Sequence, residues 1–124
     1  MDELTRWLGQ QLDEDERIAR RAGDTFWQIG ETGVIVATEG DRAEECASVN
    51  WAGVAEHIVR HDPVRVLREI DAKRQALAHY EQVFQQAADG ADSYVKIVAA
   101  LGRQVRIMAS VYADRPGYRA EWRP

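Results

Sequence analysis

Apolar residues recur at helical spacing over four stretches of the chain, three or four positions apart. This period places them on one face of an α-helix, so each stretch predicts one helix whose apolar face points inward. The four stripes consist of Leu4, Leu8, Leu12, Ile18 and Ala22; of Trp51, Val54, Ala55 and Ile58; of Val66, Leu67, Ile70, Leu77, Tyr80 and Phe84; and of Tyr94, Val98, Leu101, Val105, Met108 and Tyr112.

The sharpest predicted boundary is the junction His61-Asp62-Pro63 between the second and third helices. The residue before a proline is disfavoured in the helical region, so the second helix ends near His61. Asp62 is suited to cap the unpaired amides of the third helix, and Pro63 suits its first turn because no N–H is needed there. The second helix is expected to start near Ser48 or Asn50.

Residues 25–38 show a different pattern, rich in aromatic and β-branched side chains. Two such runs, at 26–29 and 34–36, flank a turn segment at 30–33 that begins and ends with glycine, which predicts a β-hairpin. An isolated hairpin is marginally stable in water, so it has to pack on the helices or pair with another strand. The polar and acidic segment 40–45 predicts a loop.

The last two predicted helices are long and are separated by Asp89-Gly90, with Asp92 or Ser93 in position to cap the second of them. Two long helices joined by a short turn fold back as an antiparallel pair. Beyond Pro116 the helix cannot continue, and we expect the aromatic tail to pack on the rest of the protein. Together these elements predict an α+β fold, mainly helical, in a single domain over residues 1–124.

The composition is that of an ordinary globular protein, with 45% hydrophobic and 30% charged residues. No apolar run is long enough to cross a bilayer, and the acidic start of the chain lacks the features of a signal peptide. The single Cys46 has no partner for an internal disulfide, in agreement with a reducing compartment. We therefore expect a cytoplasmic protein without membrane contact.

The net charge of −5 is distributed unevenly. Residues 1–62 hold fourteen acidic and six basic side chains, whereas residues 63–124 hold seven acidic and ten basic ones. A net acidic chain without a long basic patch argues against binding to duplex DNA, so nucleic acid is an unlikely partner. A nucleic-acid-associated factor stays open as an alternative, with Arg65, Arg68, Arg103 and Arg106 as its candidate contacts.

Few residues are candidates for chemistry. His57 and His61 are four positions apart, a spacing by which one helix face presents two metal ligands, and Cys46 or Glu56 would be the next candidates. A histidine at a helix end is also favoured by the helix dipole without any metal, and we expect both to be structural. The sequence has no nucleotide-binding glycine motif, nucleophile elbow or Cys-x-x-Cys, so we expect no catalytic residue and no cofactor.

The last helix carries more apolar surface than the third helix alone is expected to cover, because Ile97 and Ile107 lie beside its stripe. We therefore expect a homodimer built on the last two helices. Its interface candidates are Tyr94, Val98, Leu101, Val105, Met108 and Tyr112.

Three blocks of the sequence, LDEDE at residues 12–16, HIVRHDP at 57–63 and YADRPGYRAEWRP at 112–124, carry a resemblance to a known family. The chain resembles short proteins of actinobacteria and their phages that form a family of unknown function. Many members have a cysteine-containing insert before the closing block, whereas residues 93–112 of this chain contain no cysteine. The resemblance implies no activity, cofactor or catalytic residue.

The expectation for function is a non-enzymatic accessory protein that acts by binding itself or another protein, with a phage or prophage gene as one source that the resemblance implies. Two alternatives remain open at this point. One is the nucleic-acid-associated factor, and the other is a small metal-dependent enzyme centred on His57 and His61.

Overall fold

The computed structural model describes residues 2–88 and 94–124. Within them lie four α-helices and three strands, in agreement with the predicted α+β class, mainly helical. The elements are α1 (Asp2–Arg21), β1 (Phe26–Gln28), β2 (Val34–Glu39), β3 (Arg42–Ser48), α2 (Ala52–Arg60), α3 (Pro63–Ala88), α4 (Val95–Ser110) and a 3₁₀ turn (Ala120–Trp122). The predicted break at Asp89-Gly90 and the cap at Asp92 or Ser93 lie outside the described residues.

The chain divides into two compact units, which we describe separately. Unit 1 comprises Met1–Asp13 and Asp71–Pro124, and unit 2 comprises Glu14–Ile70. Both α1 and α3 contribute residues to both units.

Unit 2 contains an antiparallel sheet in the order β1-β2-β3. The predicted hairpin is confirmed, with Trp27 of β1 opposite Val36 of β2. The predicted loop at 40–45 is wrong, because most of it belongs to β3, which pairs along β2 after a tight turn at Gly40. β3 is an edge strand with almost every side chain exposed, so it lacks the alternation of apolar and polar residues that reveals a strand.

The interior of unit 2 is built on Ala19, Ile35, Ala55 and Ile70, all buried. α2 packs against the sheet, and Gln28 Nε2 of β1 donates a hydrogen bond to the carbonyl of Ala52, 3.0 Å away, where α2 begins. α2 therefore starts later than predicted, and the prediction that Trp51 and Val54 face inward is wrong, because both are exposed. The prediction that Ile18 and Ala22 face inward is wrong, because both are exposed in unit 2.

The predicted corner between α2 and α3 is confirmed in unit 2. α2 ends at Arg60, and Asp62 Oδ1 accepts a hydrogen bond from the amide of Arg65 at 3.0 Å, as an N-cap does. Asp62 Oδ2 also accepts a hydrogen bond from the amide of Phe26 at 3.3 Å. One carboxylate therefore both starts α3 and holds β1 beside it.

Unit 1 packs the start of α1 with α3, α4 and the closing segment. Its buried residues are Leu4, Trp7, Leu8, Leu12, Leu77, Tyr80, Val83, Val105, Ala109, Tyr112 and Trp122. Lys73 Nζ near the middle of α3 donates to Tyr112 Oη, 3.0 Å away and just past α4, so the end of α4 lies beside α3. Phe84 was predicted to face inward, but Val83 is buried instead and Phe84 is 38% exposed.

The closing segment packs on unit 1 as predicted. Trp7 Nε1 donates to the carbonyl of Pro116 at 3.0 Å, and the Trp7 ring lies 5.6 Å from Tyr118 and 5.5 Å from Trp122 between centroids. Gly117 has a φ of +91°, and a Cβ there would stand 2.6 Å from Trp7 Nε1. Much of the sequence block at residues 112–124, which carries part of the family resemblance, therefore has a structural role.

Candidate functional site

The two histidines of the second family block contact each other. Their ring centroids are 4.4 Å apart at an interplanar angle of 35°, and His61 Nδ1 lies 2.7 Å from the carbonyl oxygen of His57. Because a carbonyl only accepts, Nδ1 of His61 carries the proton. The Nδ1–H group of His61 is therefore engaged with a carbonyl in the last turn of α2.

The other proposed metal ligands do not complete a site with the histidines. Cys46 is exposed on β3, and Glu56 lies 3.9 Å from Arg60 in an ion pair on α2. In the part of the chain that the structure describes, no group of three histidine, cysteine, aspartate or glutamate side chains is arranged to hold a metal ion.

The four candidate arginines for nucleic acid belong to different units. Arg65 and Arg68 lie on α3 in unit 2, where Arg65 Nε donates to Glu69 at 2.9 Å and its Nη1 to the carbonyl of Arg60 at 3.2 Å. Arg103 is exposed on α4 in unit 1, whereas Arg106 is half-buried. The structure thus brings Arg65 into a local network that supports the helix corner.

Several other arginines are engaged with carboxylates on their own helix. Arg17 is 2.7 Å from Glu14, and Arg20 is 2.9 Å from Glu16, both on α1. The hydrogen bond and the charge of Glu14 raise the pKa of the Arg17 guanidinium above its usual value. Two carboxylates of the acidic block, Glu14 and Glu16, are therefore paired with arginines of the same helix, and Asp13 is 2.8 Å from Arg74 of α3.

The six interface candidates of α4 divide into two groups. Val105 and Tyr112 are buried within unit 1, where the Tyr112 ring lies near two cations, Lys73 Nζ at 5.1 Å and the Arg115 guanidinium at 4.6 Å from its centroid. The other four candidates are half-buried, namely Tyr94, Val98, Leu101 and Met108. Val105 and Tyr112 therefore already have partners inside the chain.

A second apolar stripe on the same helix is exposed, and the sequence pattern only hinted at it through Ile97 and Ile107. We call it the α4 stripe, and it consists of Ile97, Ala100 and Ile107 with one central polar residue, Gln104, and of Val111 directly after the helix. Ile97, Ile107 and Val111 are 47%, 41% and 67% exposed. Gln104 stands one residue before buried Val105, about 100° round the helix. The stripe thus lies to one side of the buried face.

The spacing of the α4 stripe is that of a coiled-coil seam. Its members follow one another by three, four, three and four residues, so Ile97, Gln104 and Val111 occupy a positions and Ala100 and Ile107 occupy d positions. The half-buried Tyr94, Leu101 and Met108 fall at the adjoining e positions. Three of the six interface candidates therefore border the exposed seam.

No helix within the described residues is long and apolar enough to cross a membrane. Neither the curated proteins nor the solved structures contain a match to this chain. One protein-family model matches it, and the match extends over residues 1–124. The chain therefore belongs to DUF6221, a family of unknown function.

Proposed function

We propose that this protein is a non-enzymatic accessory protein that acts by binding another protein chain, and that its first partner is a second copy of itself. The observation that carries the proposal is the α4 stripe, an apolar seam of heptad spacing left exposed on a packed helix. Heptad seams bury themselves against helices of the same spacing, which a second α4 supplies.

The side chains of the seam favour a parallel pair of α4 helices. β-branched Ile97 and Val111 at a positions are typical of parallel dimers, and polar Gln104 at the central a position can meet Gln104 of the second copy and fix the register. In an antiparallel pair centred on Gln104, the two Arg103 side chains at g positions would approach each other and repel. We therefore propose a two-fold dimer with α4 beside α4 in parallel.

The finer parts of the resemblance belong to the same proposal. An actinobacterial or phage source is supported by the three sequence blocks alone. A cytoplasmic place is supported by Cys46, the single cysteine, which is exposed as a thiol. A cytoplasmic protein that binds a partner without catalysing a reaction fits the proposed accessory role.

Sedimentation equilibrium of three proteins tests the dimer: the unmodified chain, Ile107→Asp in the stripe, and Val95→Asp as the matched control. Val95 is on the same helix and is 59% exposed, but it lies outside the stripe. Full burial of an isoleucine contributes about 1.5–3 kcal/mol, so covering the 41% exposed Ile107 contributes about 1 kcal/mol per copy.

A dimer that contains two Ile107→Asp substitutions should therefore lose about 2 kcal/mol or more of its free energy of association. This loss corresponds to a roughly thirtyfold increase in the dimer Kd. The control variant should leave this Kd within about twofold, because a surface charge away from the seam contributes little. Equal effects of the two substitutions would show that α4 charge, rather than the stripe, controls association.

A further inference from the structure

An apolar pocket of about 290 Å³ opens beside the C-terminal half of α1 in unit 2. Its apolar lining consists of Ile18, Ala19, Ala22, Phe26, Pro63 and Val66. Ile18 is 54% exposed although the sequence pattern predicts it to be inside. The volume is below that of most small-molecule sites and suits one large side chain as an anchor.

Two polar groups complete the lining of this pocket. Asp15 supplies a carboxylate and His61 an imidazole. Because Nδ1 of His61 is engaged with the carbonyl of His57, Nε2 is an acceptor in the neutral ring. Asp15 already interacts within the chain, so Nε2 of His61 is the group that favours a ligand with a hydrogen-bond donor next to its apolar part.

A polar depression adjoins the pocket, and the two share Ala22 at the end of α1. The charged side chains of the depression are Arg21, Glu39, Arg42, Glu44 and Glu45. Arg42 is 3.4 Å from Glu44, whereas Glu39 and Glu45 form no ion pair within the described residues. We call the pocket and the depression together the α1 groove.

The charge of unit 2 has the same sign as that of the α1 groove. Residues 14–70 hold twelve acidic and seven basic side chains, so unit 2 carries a net charge of −5, whereas the remaining residues are balanced. Next to the groove, Arg17 and Arg20 are already paired with Glu14 and Glu16. Arg21 and Arg42 offset only two of the four carboxylates that line the groove, so its net charge of −2 favours cations over phosphates.

We propose that the α1 groove binds a linear segment of a partner protein in which one large apolar side chain is flanked by arginine or lysine. The anchor fills the apolar pocket, and the flanking cations approach Glu39 at the end of β2 and Glu45 of β3, which line the adjoining depression. This site is separate from the α4 stripe and does not depend on the proposed dimer. Complementary charge gives the segment its specificity and its salt dependence.

Three synthetic hexapeptides serve as probes of the ¹⁵N-labelled full chain by NMR titration. The first has the sequence Arg-Lys-Ala-Phe-Arg-Lys, the second replaces its phenylalanine so that its centre is Ala-Ala, and the third replaces its four cations with glutamate. We expect the first peptide to change the amide chemical shifts of Ile18, Ala22 and Val66 in the pocket. Its affinity should fall at least threefold when the salt concentration rises from 50 to 300 mM. The second and third should bind at least tenfold more weakly.

Two pairs of variants locate the binding. Glu45→Gln removes a groove carboxylate and should weaken the first peptide about threefold, whereas Glu31→Gln, an exposed acidic control outside the groove, should leave its affinity unchanged. Ile18→Arg should weaken it at least tenfold, and Val54→Arg, an exposed control on α2, should have no effect.

Several results would overturn this proposal. Equal binding of the Ala-Ala peptide would show charge attraction without an anchor, and equal binding of the glutamate peptide would remove charge recognition. Loss of self-association by Ile18→Arg would show that a second copy, rather than a separate partner, occupies the groove. A dimer unchanged by Ile18→Arg, together with loss of the peptide, supports the groove independently of the dimer.

Discussion

Replacing Asp62 tests the helix corner, because its carboxylate holds two elements of unit 2. One oxygen caps α3 through the amide of Arg65 at 3.0 Å, and the other accepts from the amide of Phe26 at 3.3 Å. Losing an N-cap costs about 1 kcal/mol, and a half-buried amide left without its acceptor costs about another 1 kcal/mol. Asp62→Ala should therefore lower the free energy of unfolding by about 2 kcal/mol.

Asp62→Asn separates the two contributions. An asparagine keeps one side-chain oxygen but presents an NH₂ group to the second amide, so we expect a loss of about 1 kcal/mol. Glu69→Ala is the matched control, because it removes only an exposed ion pair with Arg65 and should cost less than about 0.5 kcal/mol. Urea unfolding followed by circular dichroism measures all three. An Asp62→Ala loss no larger than that of Glu69→Ala would refute the role assigned to the corner.

Three further predictions concern the interior and the histidines. Gly117→Ala should cost about 1–3 kcal/mol in urea unfolding, because its φ is +91° and the added Cβ would meet Trp7, whereas Gly53→Ala, with open space, should not destabilise. Leu67→Ala on α3 should cost about 1–3 kcal/mol, less than the 2–5 kcal/mol typical of a fully buried leucine, because Leu67 is half-buried; a loss below about 0.5 kcal/mol would contradict this. EDTA should leave the melting temperature unchanged, and His57→Ala should retain any binding; one equivalent of zinc or iron in purified protein would contradict this.

The sequence predicts best those elements whose signals are local. The Asp62-Pro63 corner, the hairpin and the two long helices near the end of the chain each follow from a cap, a turn or a strong period. β3 was missed because an exposed edge strand needs no apolar side chains, only the backbone of β2 beside it. Its position depends on a pairing that no local pattern records.

The candidate sites show a second limit. The period of α4 identifies Val105 and Tyr112 as an apolar seam, but it does not say whether their partner is inside the chain or outside it. Packing decides this, and it leaves Ile107 exposed while it buries Val105. Ile18 was misplaced for the same reason, since the helical period gives a face and not its neighbour.

Disulfide trapping at Gln104 tests the proposed pairing of α4 with α4 most directly. In a Cys46→Ser background, Gln104→Cys places one thiol at the centre of the stripe, where parallel helices bring their Cα atoms within disulfide distance. We predict rapid oxidation to a covalent dimer of twice the 14.1 kDa chain mass, whereas Val95→Cys in the same background should stay largely monomeric. Equal crosslinking of the two variants, or none at Gln104→Cys, would contradict the proposed dimer.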